Sequence, residues 1–96
     1  MPLRGRKQNI NMFYVYILQS IKTRRYYIGE AESVQVRLRC HNNGRVLVTK
    51  HGRPWELIYT EMFATRSEAR IRERQIKNYK GGVQFRALLN GTIRKR

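Results

Sequence analysis

The sequence predicts an α+β fold, a small three-stranded antiparallel sheet flanked by helices in the order ββαβαα. Two observations support this class. Three short runs alternate β-branched and aromatic residues with other residues, which is typical of strands. Two longer segments begin with capping residues and end at glycine, which is typical of helices. The 96 residues suffice for one domain with a modest core.

The first two strands are predicted over 12–19 and 25–30, joined by a short turn. Along the first strand, Tyr14 and Tyr16 fall on one side and Phe13, Val15 and Ile17 on the other, which is the period of a strand. The second contains Tyr27 in the run "YYIG". A plain hairpin explains both runs, because tyrosine is common in strands. The alternative is that the tyrosine hydroxyls take part in chemistry.

A helix is predicted next, over "ESVQVRLRCHNNG". Ser33 is its expected N-cap, and Asn43 with Gly44 supplies a stop signal at its end. Val34 and Leu38 lie one helical turn apart. We therefore expect both side chains to face the sheet.

A basic loop over 45–54 precedes the third predicted strand, "WELIYTEMF". The alternation along this strand places Ile58 on one side. The residues predicted on the other side are Trp55, Leu57, Tyr59 and Glu61.

Two helices complete the predicted fold. The segment "TRSEARIRERQIKNYKGG" is expected to begin its helix at Thr65 or Ser67, with Glu68 in the first turn, and to stop at the two glycines. "VQFRALL" predicts a short closing helix. This order of elements suits a small sheet covered by helices.

The charge balance predicts a polyanionic partner. Twenty-one Lys and Arg residues stand against six acids, which gives a net charge of +15. Such an excess is self-repulsive in a compact domain unless an anion offsets it. It runs through the predicted domain (12–90) as well as a basic arm (1–11) and a basic tail (91–96). We expect nucleic acid, because no segment joins a basic face to the large apolar face that membrane binding requires.

Cysteine content and the start of the chain narrow the setting. Cys40 is the only cysteine, which excludes an internal disulfide and a cysteine-rich metal site. No stretch approaches the roughly 20 apolar residues that span a bilayer. The basic first residues lack the apolar region of a signal peptide. We therefore expect a cytoplasmic protein with no membrane partner.

Arg37 and His41 form the first candidate site. Their spacing of four residues projects both from one side of the predicted first helix, at the border between core and solvent. One interpretation is a solvated arginine beside a satisfied histidine. The other is a guanidinium that binds phosphate beside a group that exchanges a proton.

Glu73 is the second candidate. On a helical projection it shares a face with Ala69 and Ile76, so its carboxylate needs a partner in a partly buried place. That partner is either Arg70 or Lys77 on the same helix, or a divalent metal ion.

Basic residues predict the surface that meets the polyanion. Four of them lie within one narrow arc of the second long helix, where like charges repel unless they face phosphates. These ridge residues are Arg66, Arg70, Arg74 and Lys77. The basic loop adds Arg45, Lys50 and Arg53.

Taken in order, these motifs resemble the GIY-YIG nuclease superfamily, most closely its small stand-alone bacterial members. "YVY" occupies the GIY position and "YIG" the YIG position, and the resemblance covers roughly 12–90. Arg37 matches the family's helix arginine, His41 the residue one turn later, and Glu73 the metal-binding glutamate. "HNNG", "PWELIYTE" and "TRSEARIRERQIK" are similar to the later motifs.

The resemblance implies a metal-dependent endonuclease that hydrolyses phosphodiester bonds, of DNA rather than RNA, in repair or recombination. Glu73 would hold one Mg²⁺ or Mn²⁺, and Arg37 would neutralise a non-bridging phosphate oxygen. The hydroxyl of Tyr16 or of Tyr27, assisted by His41, would help to activate the attacking water. The resemblance does not decide between the two tyrosines.

Two expectations stay open. Specificity would come from the shape of the nucleic acid or from a protein partner. The alternative function is a non-catalytic nucleic-acid-binding module, in which Arg37 and Glu73 form a structural ion pair. Dependence on a divalent metal separates the two functions.

Overall fold

The computed structural model describes residues 11–93, with side chains described through residue 91. Its elements are β1 (Phe13–Ser20), β2 (Tyr26–Ala31), α1 (Val34–Asn42), a 3₁₀ helix (Leu47–Gly52), β3 (Trp55–Phe63), α2 (Arg66–Lys77) and α3 (Val83–Ile93). The predicted α+β class and the order ββαβαα are confirmed. The 3₁₀ helix lies within the predicted loop. The predicted arm falls outside the described residues except for Asn11, and α3 continues beyond "VQFRALL" into the predicted tail.

The strands form one antiparallel sheet in the order β2-β1-β3. β1 is therefore the central strand, with helices against both of its faces. Tyr16 in its middle lies opposite Gly29 of β2 and Thr60 of β3. No helix within residues 11–93 has both the length and the apolar character needed to cross a membrane.

Each face of the sheet has its own core, because alternate residues of β1 point to opposite sides. The α1 face buries two residues of β1 with their neighbours: Tyr16, Leu18, Ala31 and Trp55, against which Tyr27, Val34 and Leu38 pack. The α2 face buries the residues between them with parts of α2 and α3: Val15, Ile17, Ala69, Ile76 and Phe85. The predicted inward positions of Val34 and Leu38 are confirmed.

The predicted alternation along the third strand is wrong after Ile58. Ile17 lies opposite Tyr59, whereas the next residue of β1 lies opposite the residue before Ile58. Ile58 is thus an extra residue, and such a β-bulge moves the residues after it to the opposite face. Trp55 belongs to the α1 face, while Tyr59 and Glu61 lie on the α2 face, where each contacts α2 or its core.

Side-chain caps explain where α1 and α2 begin. The Ser33 hydroxyl accepts a hydrogen bond from the backbone of Val36 at 3.2 Å, which confirms the predicted N-cap. Thr65, one of the two predicted residues, caps α2 and forms a capping box with Glu68. Both caps satisfy backbone N–H groups that have no partner inside the helix.

Candidate active site

Tyr16 is the centre of the site, and Gly29 makes room for it. A Cβ atom at position 29 would lie 2.5 Å from both Cζ and the hydroxyl oxygen of Tyr16. Any side chain there would overlap the tyrosine ring, so only glycine fits the close approach of the two strands. Tyr16 is 1% exposed, and its hydroxyl points to α1.

A chain of hydrogen bonds runs from Tyr16 into the 3₁₀ helix. The Tyr16 hydroxyl lies 3.0 Å from Nε2 of His41, and Nδ1 of His41 lies 2.8 Å from the hydroxyl of Thr49. The Thr49 hydroxyl donates to the carbonyl oxygen of Val46 at 3.3 Å. His41 and Thr49 are both buried, so the hydrogen bond between them is shielded from water. We call the residues Tyr16, His41 and Thr49 the relay.

The partners of the relay assign its proton positions. The single hydroxyl proton of Thr49 is directed to Val46, so its oxygen accepts from Nδ1–H of His41. A neutral imidazole carries one N–H, and Nε2 of His41 is therefore an acceptor for the hydroxyl proton of Tyr16. Arg37 is close enough to lower the pKa of the Tyr16 hydroxyl, and its guanidinium can only donate to that oxygen. Every hydrogen in the series then has one acceptor.

Burial sets the protonation states of the relay. It raises the pKa of Tyr16 above its usual value, Arg37 opposes the rise, and the charges of Tyr27 and Glu73 add to it. Burial, with a smaller contribution from Arg37, lowers the pKa of His41 to about 4. At neutral pH Tyr16 therefore keeps its proton and His41 is an uncharged proton acceptor. The hydrogen bond to Tyr16 raises the pKa of Arg37, which stays a cation.

Tyr27 covers one side of the relay. Its ring centroid is 4.8 Å from that of His41 and 6.4 Å from that of Tyr16. The ring of Trp55 meets that of Tyr27 edge-on, with ring centroids 6.5 Å apart. Tyr27 is half-buried, so it is the tyrosine of the pair that lies nearer to solvent. The rings of both tyrosines thus lie against His41 of α1, and the Tyr16 hydroxyl is hydrogen-bonded to it.

Thr49 is a site residue that the sequence analysis missed. It lies in a segment without a strand or helix period, so no pattern in the sequence marks it. The structure holds it from two sides: its backbone carbonyl accepts from Nε1 of Trp55 at 2.8 Å, and the hydroxyl of Ser20 donates to Gly52 at the end of the same 3₁₀ helix. A short polar helix anchored in this way fixes the hydroxyl that orients His41.

Glu73 lies on α2, and its side chain is 21% exposed. Its carboxylate accepts from Nζ of Lys77 at 2.8 Å, one of the two predicted partners. Together with Arg70 and Arg74 these residues line a cavity of about 200 Å³. The charge of Glu73 acts on Tyr16, which assigns both residues to one electrostatic neighbourhood.

The donor atoms at Glu73 suit one hard divalent ion. Within residues 11–93, no group of three or more His, Cys, Asp or Glu side chains is placed to hold a metal. Mg²⁺ is commonly held by one or two carboxylates, with water and substrate phosphate as its other ligands. Glu73 supplies one such carboxylate. Its half-exposed partner Lys77 is displaced at small cost, because exposed ion pairs contribute about 0–1 kcal/mol. Glu73 is thus the carboxylate that could hold such an ion, in a cavity whose other lining residues are Arg70, Arg74 and Lys77.

The basic ridge of α2 differs along its length. Arg66 donates to both carboxylate oxygens of Glu30 at 2.9 Å and to Glu32 at 3.0 Å, and Arg70 lies 3.8 Å from Glu30. The start of the ridge is therefore partly neutralised inside the protein. Among the residues that the structure describes, Arg74 has no acidic partner, whereas Lys77 pairs with Glu73, so Arg74 is the ridge residue most open to phosphate.

The basic loop presents its own cations. Lys50 and Arg53 line a cavity of about 310 Å³ together with Lys22, and Nε of Arg53 donates to the carbonyl of Lys50 at 2.7 Å. Arg45 is exposed and is not part of that lining. Arg37, by contrast, lines a separate cavity of about 370 Å³ with Glu30 and Arg66. The structure thus brings Arg37 together with the relay and with the start of the ridge.

Comparison with known proteins identifies the family. The model of the GIY-YIG catalytic domain matches residues 12–84. A UPF0213 protein of Staphylococcus saprophyticus is 38% identical over 79 residues, which is 81% of this chain and 95% of the relative. A UPF0213 protein of Staphylococcus haemolyticus is 42% identical over 67 residues, 69% of this chain and 80% of the relative.

The matched region contains the complete site described above. It begins just before β1 and ends within α3, and so includes Tyr16, Arg37, His41, Thr49 and Glu73. The GIY-YIG domain has a nuclease-type fold, in agreement with the resemblance predicted from the motifs. This chain belongs to the GIY-YIG catalytic domain family.

Proposed function

We propose that the protein is a divalent-metal-dependent endonuclease that hydrolyses phosphodiester bonds of DNA. One observation carries the proposal: a buried tyrosine hydroxyl is hydrogen-bonded to a neutral histidine, His41, within the electrostatic reach of the cation Arg37. A structural core has no need of this polar arrangement, because burying polar groups lowers stability unless every one is satisfied.

The relay supports a route by which a tyrosine would activate water near neutral pH. A tyrosine with a raised pKa is a poor base, because almost none of it is ionised. If the proton of Tyr16 moves to Nε2 of His41 as the water proton reaches the tyrosine oxygen, no free tyrosinate is required. The hydroxide so formed bonds to phosphorus as the bond from phosphorus to the 3′ oxygen breaks. We assign this transfer to Tyr16 because, of the two candidate tyrosines, it is the one whose hydroxyl is hydrogen-bonded to His41 in the described structure.

Arg37 and Glu73 deal with the negative charge of the phosphate. Arg37 is a permanent cation beside Tyr16, and there it neutralises a non-bridging oxygen as charge grows in the transition state. A Mg²⁺ or Mn²⁺ ion held by Glu73 would supply Lewis-acid stabilisation of the phosphate and the leaving oxygen. Repair or recombination is the cellular context that we propose, in the cytoplasm.

Basic side chains away from the relay would hold the DNA backbone. The exposed cations best placed for this are Arg74 of the ridge and Lys50 and Arg53 of the loop. Phosphate contacts position the duplex without reading its sequence. Sequence or structure preference would then come from the shape of the DNA or from a protein partner.

The ion pair of Glu73 with Lys77 supports a second candidate, a DNA-binding module without catalysis. In that case the carboxylate of Glu73 only reduces the positive charge of the ridge, and a metal has no role. The proposed alternative pairing of Arg37 with Glu73 is not the one in the structure, where Glu73 contacts Lys77.

Glu73→Gln tests the proposal, because it keeps the shape of the side chain and removes its charge. Cleavage of single-stranded, duplex, flap and branched DNA, and of RNA, is measured with Mg²⁺ and with a chelator. We expect Mg²⁺-dependent cleavage of DNA by the wild-type protein. In the variant, cleavage should fall by about 100-fold or more, because a metal ligand is lost. DNA binding should be equal or tighter.

Glu68→Gln is the matched control. Glu68 is an exposed glutamate of the same helix, and glutamine preserves its capping box. Its cleavage rate should stay within about twofold, as expected for an exposed surface substitution. A stable Glu73→Gln variant with wild-type turnover, or DNA binding without cleavage of any substrate, would leave the binding module as the function.

A further inference from the structure

A groove of about 560 Å³ lies beside the proposed active site, between the edge strand β2, the end of α2 and the start of α3. Its volume falls in the range of small-molecule sites, roughly 300–1,000 Å³. Its lining combines the side chains of Tyr26, Ile76 and Phe85 with those of Arg25, Lys77 and Lys80. No acidic residue occurs among them, so the groove combines apolar walls with positive charge.

Tyr26 gives the groove an exposed aromatic surface. It is 45% exposed, although it belongs to a strand whose other large side chains are half-buried or buried. Its ring meets that of Phe85 edge to face, with centroids 4.9 Å apart. Phe85 is 2% exposed, so the aromatic pair is anchored in the α2-face core. An anchored ring that is open on one side is the surface on which a nucleobase stacks.

Three cations surround this aromatic surface. Arg25 precedes β2, and Lys77 and Lys80 lie at the end of α2 and just after it. Apolar walls with cations around them complement a nucleotide, which joins a flat apolar ring to a phosphate. A purely apolar ligand would gain nothing from these charges.

The groove is connected to the proposed active site. Lys77, which lines it, pairs with Glu73 at 2.8 Å, and Tyr27, which also lines it, covers the relay. β2 has only one neighbour in the described sheet, so backbone groups on its outer side remain available to hydrogen-bond the edge of a base.

We propose that this groove binds the unpaired base of a nucleotide next to the phosphate that is cleaved. The inference rests on the proposed function and specifies its substrate class: DNA with an unpaired nucleotide, such as a bulge, rather than continuous duplex. A base inside a duplex is stacked and would have to be extruded, which costs a few kcal/mol and is easiest where the base is already unpaired.

The test measures equilibrium binding of the full chain in the presence of a chelator, so that it is independent of cleavage. Three DNA molecules are compared: a continuous duplex, the same duplex with a one-nucleotide bulge, and the same bulge without its base. We expect the bulge with a base to bind about tenfold more tightly than the abasic bulge, in line with the effect of one base–aromatic stack. Tyr26→Ala should abolish this difference and leave duplex binding within twofold.

Two variants serve as controls. Tyr26→Phe keeps the ring and should keep the preference for the base. Tyr14→Ala removes a half-buried tyrosine that lines a different cavity, and it too should keep the preference. Circular dichroism and thermal melting confirm that each variant is folded.

The outcomes separate this proposal from the nuclease assignment. Equal affinity for the two bulges, or a preference that survives Tyr26→Ala, overturns the base site and leaves the nuclease assignment in place. The oligomeric state of both proteins is also measured by analytical ultracentrifugation. If wild type self-associates, Tyr26→Ala does not, and DNA binding is unchanged, a second copy of the chain occupies the groove, and this also overturns the proposal. Failure of the wild-type protein to bind any of the three DNA molecules contradicts both.

Discussion

The two faces of the sheet share one central strand but are built on different principles. On the α2 face, β1 contributes Val15 and Ile17 to a core of aliphatic and aromatic groups, and the charged pair of Arg72 with Glu61 lies at its margin with both side chains partly exposed. On the α1 face, the same strand contributes Tyr16 to a buried series of polar groups.

This difference separates stability from chemistry. On the α2 face the buried side chains of β1 are apolar, and their packing stabilises the fold and holds β1 in place. The α1 face can therefore bury Tyr16, His41 and Thr49, which stabilise the fold little and require every hydrogen bond to be made. A site on the central strand is also held more rigidly than one on a loop.

Ile17→Ala tests the stabilising role of the α2 face and should have the largest effect. Ile17 is fully buried, and removal of its outer carbons should lower the free energy of unfolding by about 2–5 kcal/mol. Urea unfolding followed by circular dichroism measures this. Ile21→Ala, at a position that is 51% exposed, should change it by less than about 0.5 kcal/mol. An equally small loss for Ile17→Ala would contradict the division between faces.

Arg37→Ala tests the chemical role of the α1 face. Loss of one preorganised charge in the transition state costs about 10²–10³ in rate, whereas one contact among many alters DNA affinity by only a few-fold. Arg39→Ala is the control, because Arg39 is an exposed arginine of the same helix. Single-turnover cleavage and DNA binding are measured on both variants. Cleavage by Arg37→Ala within threefold of wild type would remove this arginine from the mechanism.

The pH dependence of stability should also differ between the faces. The pKa of His41 is lowered to about 4 in the folded protein, against about 6.5 when unfolded. The unfolded state therefore binds more protons below pH 6.5, and stability is lost as the pH falls from 6.5 towards 4. Linkage gives a loss of about 2 kcal/mol between pH 8 and pH 5.

Glu61 on the α2 face affects stability at more acid pH than His41 does. Burial raises its pKa, but hydrogen bonds from Arg72 and Tyr59 outweigh burial, so the net pKa lies below the usual value. Its contribution to the free energy of unfolding is present above the unfolded pKa of about 4.3 and is lost at more acid pH.

Urea unfolding at pH 8 and pH 5 should show the loss of stability due to His41 in wild type and in Ile17→Ala. It should be absent in His41→Gln, and a loss of equal size there would assign it to another group.

Thr49→Val should have the smallest effect. It tests whether cleavage depends on the tautomer of His41 that Thr49 fixes. Valine keeps the shape but cannot accept from Nδ1 of His41, so Nε2 is no longer fixed as the acceptor for Tyr16. We expect cleavage to fall by about tenfold, the equivalent of one ordinary hydrogen bond. Thr49→Ser should restore the rate. If both variants cleave like wild type, the tautomer of His41 does not control the reaction.

Local signals in the sequence predicted much of this structure. Ser33 and Thr65 mark helix starts because a side-chain cap acts within four residues. The pairing of Tyr16 with His41 was within reach because the strand period and the helix spacing each select a face. These signals depend on neighbours along the chain.

The features that escaped prediction depend on contacts far apart in sequence. The bulge at Ile58 is a property of backbone pairing with β1, and the residue itself is an ordinary strand former. Thr49 gains its role only through His41, and Glu30 is held by Arg66 from another element. Neither partnership leaves a periodic trace in the sequence.

The close seat of Tyr16 on Gly29 restricts how this protein can change by single mutations. Alanine at position 29 would meet the tyrosine, and Tyr16→Phe would not relieve the overlap, because ring carbon Cζ is as close as the hydroxyl. A larger residue at position 29 becomes acceptable only after the aromatic ring at position 16 has been lost. The relay is then lost before any larger residue at position 29 can be accepted. Single mutations therefore cannot replace Gly29 while they keep the Tyr16 relay.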